Sequence, residues 1–178
     1  MHESGFKCFK QIKFHAPMPV IAAIRGSAIG GGCGLAVACD FRIGDDKTRM
    51  GIPAARLSVV YSLKETQVLS EVVGAKNAKR ILFSGDYFDA ERSVQLGLLD
   101  EVVEDPLQSA IAYASHIAER APLSVRGAKL AINAIASGNM ESVQDEYEHL
   151  RDTAADSADY AEGQRAFLEK RRPNFRGE

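Results

Sequence analysis

Short apolar runs separated by glycine and proline fill the first half of the chain, and helical spacing fills the second. Residues 5–14 have helix-compatible spacing, but His15-Ala16-Pro17-Met18-Pro19 stops it. Each proline lacks a backbone donor and disfavours helix in the residue before it. Val20-Ile21-Ala22-Ala23-Ile24, bounded by breakers, reads as a buried strand. Arg25 to Gly32 is too glycine-rich to be either element, whereas Cys33 to Cys39 suits a short buried helix and Asp40 to Gly44 a second strand. Arg49-Met50-Gly51-Ile52-Pro53 leads into an edge or loop. Two helices are predicted around Gly74, the second ending near Gly85, and Asp89 caps another that stops at Gly97. Leu98 to Val103 is the last predicted strand. After Pro106 three apolar stripes mark three helices, and a final helix runs from about Asp159 to Arg171. This order predicts an α/β protein, with a core over 1–105 and a helical region over 106–178.

Composition narrows the function. The 22 Lys+Arg are matched by 24 Asp+Glu, which argues against a dedicated nucleic-acid binder. No apolar run approaches the roughly 18 residues of a membrane span, and Met1-His2-Glu3-Ser4 lacks the order of a signal peptide. Three cysteines (Cys8, Cys33, Cys39) without a CxxC pair, and four scattered histidines, favour a reducing compartment with neither disulfide scaffold nor metal site.

The candidate chemistry lies in Gly30-Gly31-Gly32, between a strand and a helix. Such a turn leaves backbone N–H groups free at a helix start, where they bind anions or oxygens that become anionic. A dinucleotide fingerprint fails because Leu35 holds its third glycine position, and a P-loop fails because no Gly-Lys-Ser/Thr follows. An oxyanion hole, or a turn demanded only by tight packing, remains.

Pro19 to Asp40, reading PVIAAIRGSAIGGGCGLAVACD, resembles the signature of the crotonase (enoyl-CoA hydratase/isomerase) superfamily at nearly every position. Met50-Gly51-Ile52-Pro53, Gly74-Ala75-Lys76-Asn77-Ala78, Leu82-Phe83-Ser84-Gly85, Gly97 to Val103 and the ending Glu162 to Pro173 add to it. The resemblance implies a spiral of ββα units with a carboxyl-terminal helical region that forms trimers or hexamers. It implies an acyl-CoA substrate, with coenzyme A as part of that substrate and no tightly bound cofactor, nucleic acid or membrane span. Gly31 would give one oxyanion N–H, and Ile29, Gly30 and Pro53 would line the substrate site. Phe167 and Lys170, three apart on one helix face, would meet the acyl group and a coenzyme A phosphate. The other oxyanion donor belongs to a loop upstream of Pro19, and only 18 residues precede that position. The spiral is therefore expected to be incomplete at its amino end, as in a fragment or a mis-called start. A cytoplasmic location is implied, or a mitochondrial or peroxisomal matrix in a eukaryote.

The catalytic positions depart from the family pattern. Its two hydratase glutamates fall at Gly34 and Ala54, neither of which can move a proton, and the isomerase position farther on holds Ser62. Tyr61 is a replacement candidate. Arg56 reads as a structural ion pair, and Glu65 as a helix-start charge that favours the dipole. Cys33 and Cys39 read as packed thiols. The expected function is an acyl-CoA enzyme stabilising a thioester enolate, with the reaction left open. The alternatives are an impaired acyl-CoA-binding or assembly subunit and, remotely, a ClpP-like peptidase using Ser27.

Overall fold

The structure, a computed structural model, describes residues 8, 9 and 11–178. The helix expected over 5–14 lies partly outside these; Cys8 and Phe9 are helical, and Gln11–His15 form a π-helical turn. The chain divides into two compact units. One holds the described residues up to Ala16 together with Val20–Ala112; the other holds Pro17–Pro19 with Tyr113–Glu178.

The first unit runs β1 (Ile21–Ile24), β2 (Ser27–Ile29), α1 (Gly31–Ala38), β3 (Phe41–Gly44), β4 (Arg49–Gly51), a 3-10 turn (Ala55–Leu57), α2 (Leu63–Ser84), α3 (Ala90–Leu96) and β5 (Glu101–Val102). All ladder pairs are parallel. β1-β3-β5 form one sheet, with Ile21 opposite Phe41 and Ile43 opposite Glu101; β2-β4 form another, with Ile29 opposite Gly51. Each ββα turn thus adds one strand to each sheet, which is the spiral expected from the sequence. Parallel neighbours need long crossovers, so none of this pairing is local.

Three local expectations change. Arg25 to Gly32 is not loop throughout, because Ser27-Ala28-Ile29 is held as a strand by β4. The following helix starts at Gly31 rather than Cys33, since the Gly34 N–H donates to the Gly30 carbonyl at 2.9 Å and closes the first turn early. Leu98 and Leu99 are not in the ladder. Their N–H groups donate to the Ser93 carbonyl, ending α3, while their side chains are buried in the core. The break inside α2 falls at Gly74 (φ 74°), and Asp89 and Gly97 bracket α3, all as the spacing predicts.

α1 packs on β2 and α2 over a core of Cys33, Val37, Met50, Ile52, Leu69 and Ile81. Beside it, the buried Arg42 of β3 donates to both Asp100 carboxylate oxygens at 3.0 Å and to the Cys39 carbonyl at 2.9 Å. The Arg42 N–H also donates to Asp100 at 2.7 Å, so this pair pins β3 to the approach of β5.

α4 (Pro106–Ala118) begins in the first unit, and the division falls within it. The second unit continues with α5 (Pro122–Ser137), a 3-10 turn (Glu141–Val143), α6 (Gln144–Ala155) and α7 (Ala158–Leu168). α6 packs against both α5 and α7. The last helix stops at Leu168, short of the expected Arg171, because the tail turns back onto carboxylates of α7. Asp159 accepts from the Arg176 and Gly177 N–H groups, and Glu162 accepts from the Arg171 side chain and the Asn174 N–H. Among the described residues no helix is long and apolar enough to cross a membrane.

Candidate functional site

The turn from β2 into α1 is fixed by a glycine that no other residue replaces easily. Gly30 has φ 58° and ψ −116°, and its N–H donates to the Gly51 carbonyl at the end of β4, at 2.8 Å. Gly51 is equally constrained, since a Cβ there would overlap the Asp86 carbonyl oxygen. Gly30 is thus required by its positive φ and Gly51 by the close approach of the Asp86 backbone, and the hydrogen bond between them joins the ends of β2 and β4. Gly31 follows as the first residue of α1, where an N–H has no partner within the helix. The Gly31 N–H donates to no other group among the described residues.

Beside this amide lies a cavity of about 260 Å³, lined by Gly30, Gly31, Pro53, Ala54, Tyr61 and Glu65 among others. Leu57, Val59 and Val60 complete an apolar rim, and Val60 is 95% exposed. A small concave apolar space with a few convergent polar groups is the usual form of a small-molecule site.

The polar groups come from the start of α2. Ser62 caps this helix, its Oγ accepting from the Glu65 N–H at 3.3 Å and donating to Glu65 Oε2 at 2.6 Å. Glu65 is only 8% exposed, yet its Oε1 has no hydrogen-bond partner. The Tyr61 hydroxyl is likewise buried without a partner. Burial, then the charges of Glu65 and Cys33, push the Tyr61 phenol well above its ordinary range. It is therefore neutral near pH 7, able to donate a hydrogen bond but not to act as a base. Burial likewise pushes the Cys33 thiol up to about 12. Among the described residues no group of three or more His, Cys, Asp or Glu could hold a metal ion.

The sequence-predicted residues divide clearly. Gly30, Gly31, Pro53, Ala54 and Tyr61 line one cavity, with Ala54 presenting only a methyl group. Gly34 is buried within α1, and Ile29 ends β2; neither is in the lining. Phe167 and Lys170 belong to the second unit and are exposed. They do not share a helix face as expected, since Lys170 lies beyond α7 with φ 54°. Ser27, weighed as a nucleophile, is exposed on β2 outside the lining. Arg56 pairs with Asp86 at 3.8 Å and stacks over Tyr87, as a structural residue does. Cys33 and Cys39 are buried thiols, neither in a disulfide, and the Cys39 thiol donates to the Leu35 carbonyl at 3.5 Å. Glu65 is the residue that sequence reasoning undervalued. Its Ser62-x-x-Glu65 spacing signals a capping box, which says nothing about a cavity.

The model of the enoyl-CoA hydratase/isomerase family matches residues 2–178. The chain is 36% identical to the crotonyl-CoA hydratase of Syntrophomonas wolfei, covering 96% of this chain and 66% of that protein. It is 37% identical to the (E)-benzylidenesuccinyl-CoA hydratase of Thauera aromatica, covering 89% and 63%. The solved enoyl-CoA hydratase of Bacillus anthracis superposes with a TM-score of 0.85 at 31% identity, covering all of this chain and 72% of that one. The chain thus spans about two thirds, or somewhat less, of the length of the curated relatives it matches. With the spiral, the triple-glycine turn and a match along nearly its whole length, the chain belongs to the enoyl-CoA hydratase/isomerase family of the crotonase superfamily.

Proposed function

We propose that the protein to which this sequence belongs is an acyl-CoA enzyme, with the Gly31 N–H receiving the thioester oxygen as it gains negative charge. The observation that carries this reading is a partnerless helix-start amide on a residue that lines a small, mostly apolar cavity. Preorganised donors of this kind stabilise a developing oxyanion, and losing one costs about 10²–10³ in rate. The apolar rim offers hydrocarbon contact for an acyl chain. Coenzyme A enters as part of the substrate, with no tightly bound cofactor required.

Simple hydration is the weaker reaction class. Ala54 brings a methyl group to the cavity, and Gly34 has no side chain, so neither hydratase glutamate position can transfer a proton. General acid–base groups contribute about 10²–10⁴-fold each. The same two positions favour a second reading, an acyl-CoA-binding or assembly subunit of reduced activity. Assembly as a homotrimer or hexamer fits the exposed Ile132, Ile135, Phe167 and Leu168 of the helical unit. A clean monomer by light scattering would contradict that assembly.

Crotonyl-CoA binding by calorimetry and turnover by absorbance test the reading, using Gly31→Pro and Ser27→Ala. Proline is tolerated at a first helical position and removes the N–H, and because its ring also adds three carbons at the cavity lining, binding is read alongside turnover. Gly31→Pro should weaken thioester chemistry far more than Ser27→Ala; equal, small effects would count against the amide. Binding without turnover in the unaltered protein would favour the second reading.

A further inference from the structure

β2 and β4 form a two-stranded sheet with three residues in each strand. So short a pairing is marginal by itself, and what holds its ends decides its register. At the cavity end the hold is the hydrogen bond from the Gly30 N–H to the Gly51 carbonyl. At the far end it gathers on one hydroxyl. Thr48 is fully buried, and its Oγ1 donates to Asp45 Oδ1 at 2.8 Å, accepts from the Asp45 N–H at 3.0 Å and lies 3.3 Å from the Ile24 carbonyl that ends β1. The same Asp45 oxygen accepts from the Gly26 N–H at 3.4 Å and the Lys47 N–H at 3.2 Å. The Gly26 carbonyl in turn accepts from the Arg49 N–H at 3.0 Å. The bond from Thr48, with those from Gly26 and Lys47, holds the Asp45 carboxyl below its ordinary value, so it serves all three donors as a carboxylate near pH 7. Two crossings between the sheets, Ile24 to Ser27 and Gly44 to Arg49, are thereby tied together at Thr48 and Asp45.

We infer that Thr48 and Asp45 are a positioning pair for the Gly31 amide: by locking the two crossings together they set how β2 lies along β4, and so where β2 delivers Gly30 and Gly31 to the cavity. The inference rests on the acyl-CoA reading and deepens it by naming what holds the amide in place. Neither residue lines the cavity, so the pair touches no substrate and acts only through the strands. β2 is three residues long and leads from the Gly26 bend to Gly30, which leaves little chain to absorb a displacement at the bend. Donors to a developing oxyanion work at about 2.7–3.1 Å, a range that a shift of a few tenths of an ångström leaves. A misplacement of about 1 Å at a reacting centre costs about 10²-fold in rate. A buried hydroxyl that spends its hydrogen bonds on this junction is suited to preventing such a shift.

The test reads the thioester carbonyl stretch of carbon-13-labelled crotonyl-CoA by infrared difference spectroscopy, with saturation of each protein confirmed by calorimetry. The proteins are the unaltered chain, Thr48→Val, which keeps the side-chain shape and deletes the hydroxyl, Thr48→Ser, which keeps the hydroxyl, and Asp100→Asn. Asp100→Asn weakens the hold of β3 on β5 and touches neither crossing, so it controls for lost stability alone. The expected result is a band lowered from its position in water in the unaltered chain, in Thr48→Ser and in Asp100→Asn, and a loss of that lowering in Thr48→Val. The same lowered band in Thr48→Val overturns the inference and leaves the acyl-CoA reading standing. So does a band that Thr48→Ser or Asp100→Asn displaces as far as Thr48→Val does. No binding by the unaltered chain, or a bound band at its position in water, overturns the acyl-CoA reading itself and the inference with it. If Thr48→Val does not fold, Asp45→Ala decides on the same terms: it removes the shared acceptor, and an unmoved band overturns the pair.

Discussion

Ser62 and Glu65 engage each other twice, the serine Oγ accepting from the glutamate N–H and donating to its Oε2 at 2.6 Å. That mutual hold starts α2 and fixes the orientation of the carboxylate at the cavity wall. Ser62→Ala removes the cap and should lower stability by about 1 kcal/mol, read by urea unfolding. Ser62→Thr, which keeps a hydroxyl, should recover most of the loss.

Arg42 is 4% exposed and depends on Asp100 as its carboxylate partner. Asp100→Ala strands a buried guanidinium. Breaking a buried pair costs about 3–5 kcal/mol, and the partly exposed Asp100 places this one at or below the low end. Asp100→Asn, which can still accept from the Arg42 N–H, should cost less. Equal effects would show that the charge, not the acceptor, holds β3 to β5.

The carboxyl-terminal tail should be acid-labile. Hydrogen bonds from Arg171 and then Asn174 lower the Glu162 carboxyl from 4.5 to about 2. A carboxyl held below its unfolded value stabilises the docked form above that value and loses this as pH falls through the folded one. Docking is therefore full above about 4.5 and lost on descending towards about 2. Protection of the Asn174 amide against hydrogen exchange should follow that window, and Glu162→Gln should flatten it.

Thiol labelling should separate the three cysteines. Cys8 is exposed, whereas Cys33 and Cys39 are buried and the Cys33 thiol is raised to about 12. Iodoacetamide at neutral pH should modify Cys8 in the folded protein and spare Cys33, by peptide mass spectrometry. Rapid labelling of Cys33 would mean that α1 opens.

Much of the fold can be read from the order of residues because its signals are local. Asp89 and Gly97 bracket α3 through side-chain and backbone geometry that a few neighbouring residues set, and Gly74 breaks α2 for the same reason. β2 is hidden because Ser27-Ala28-Ile29 becomes a strand only when Arg49-Met50-Gly51 lies beside it. Leu98 and Leu99 look like a strand because burial in a loop and burial in a sheet select the same side chains. At the cavity, Gly31 is announced by its triple glycine, and Tyr61 by its place after the Gly51-Ile52-Pro53 turn. Glu65 reads as a helix cap, and only the packing around Oε1 distinguishes it from one. Lys170 misleads because the tail is turned by Asp159 and Glu162, partners that no helical spacing encodes.

The most direct measurement is the carbonyl stretch of crotonyl-CoA labelled with carbon-13 at the thioester, read by isotope-edited infrared difference spectroscopy on the bound complex. If the Gly31 N–H grips the oxygen, the band should fall below its position in water, and Gly31→Pro should return it while leaving the ligand bound. A band at one frequency in water, in the unaltered protein and in Gly31→Pro would contradict the assignment of that amide.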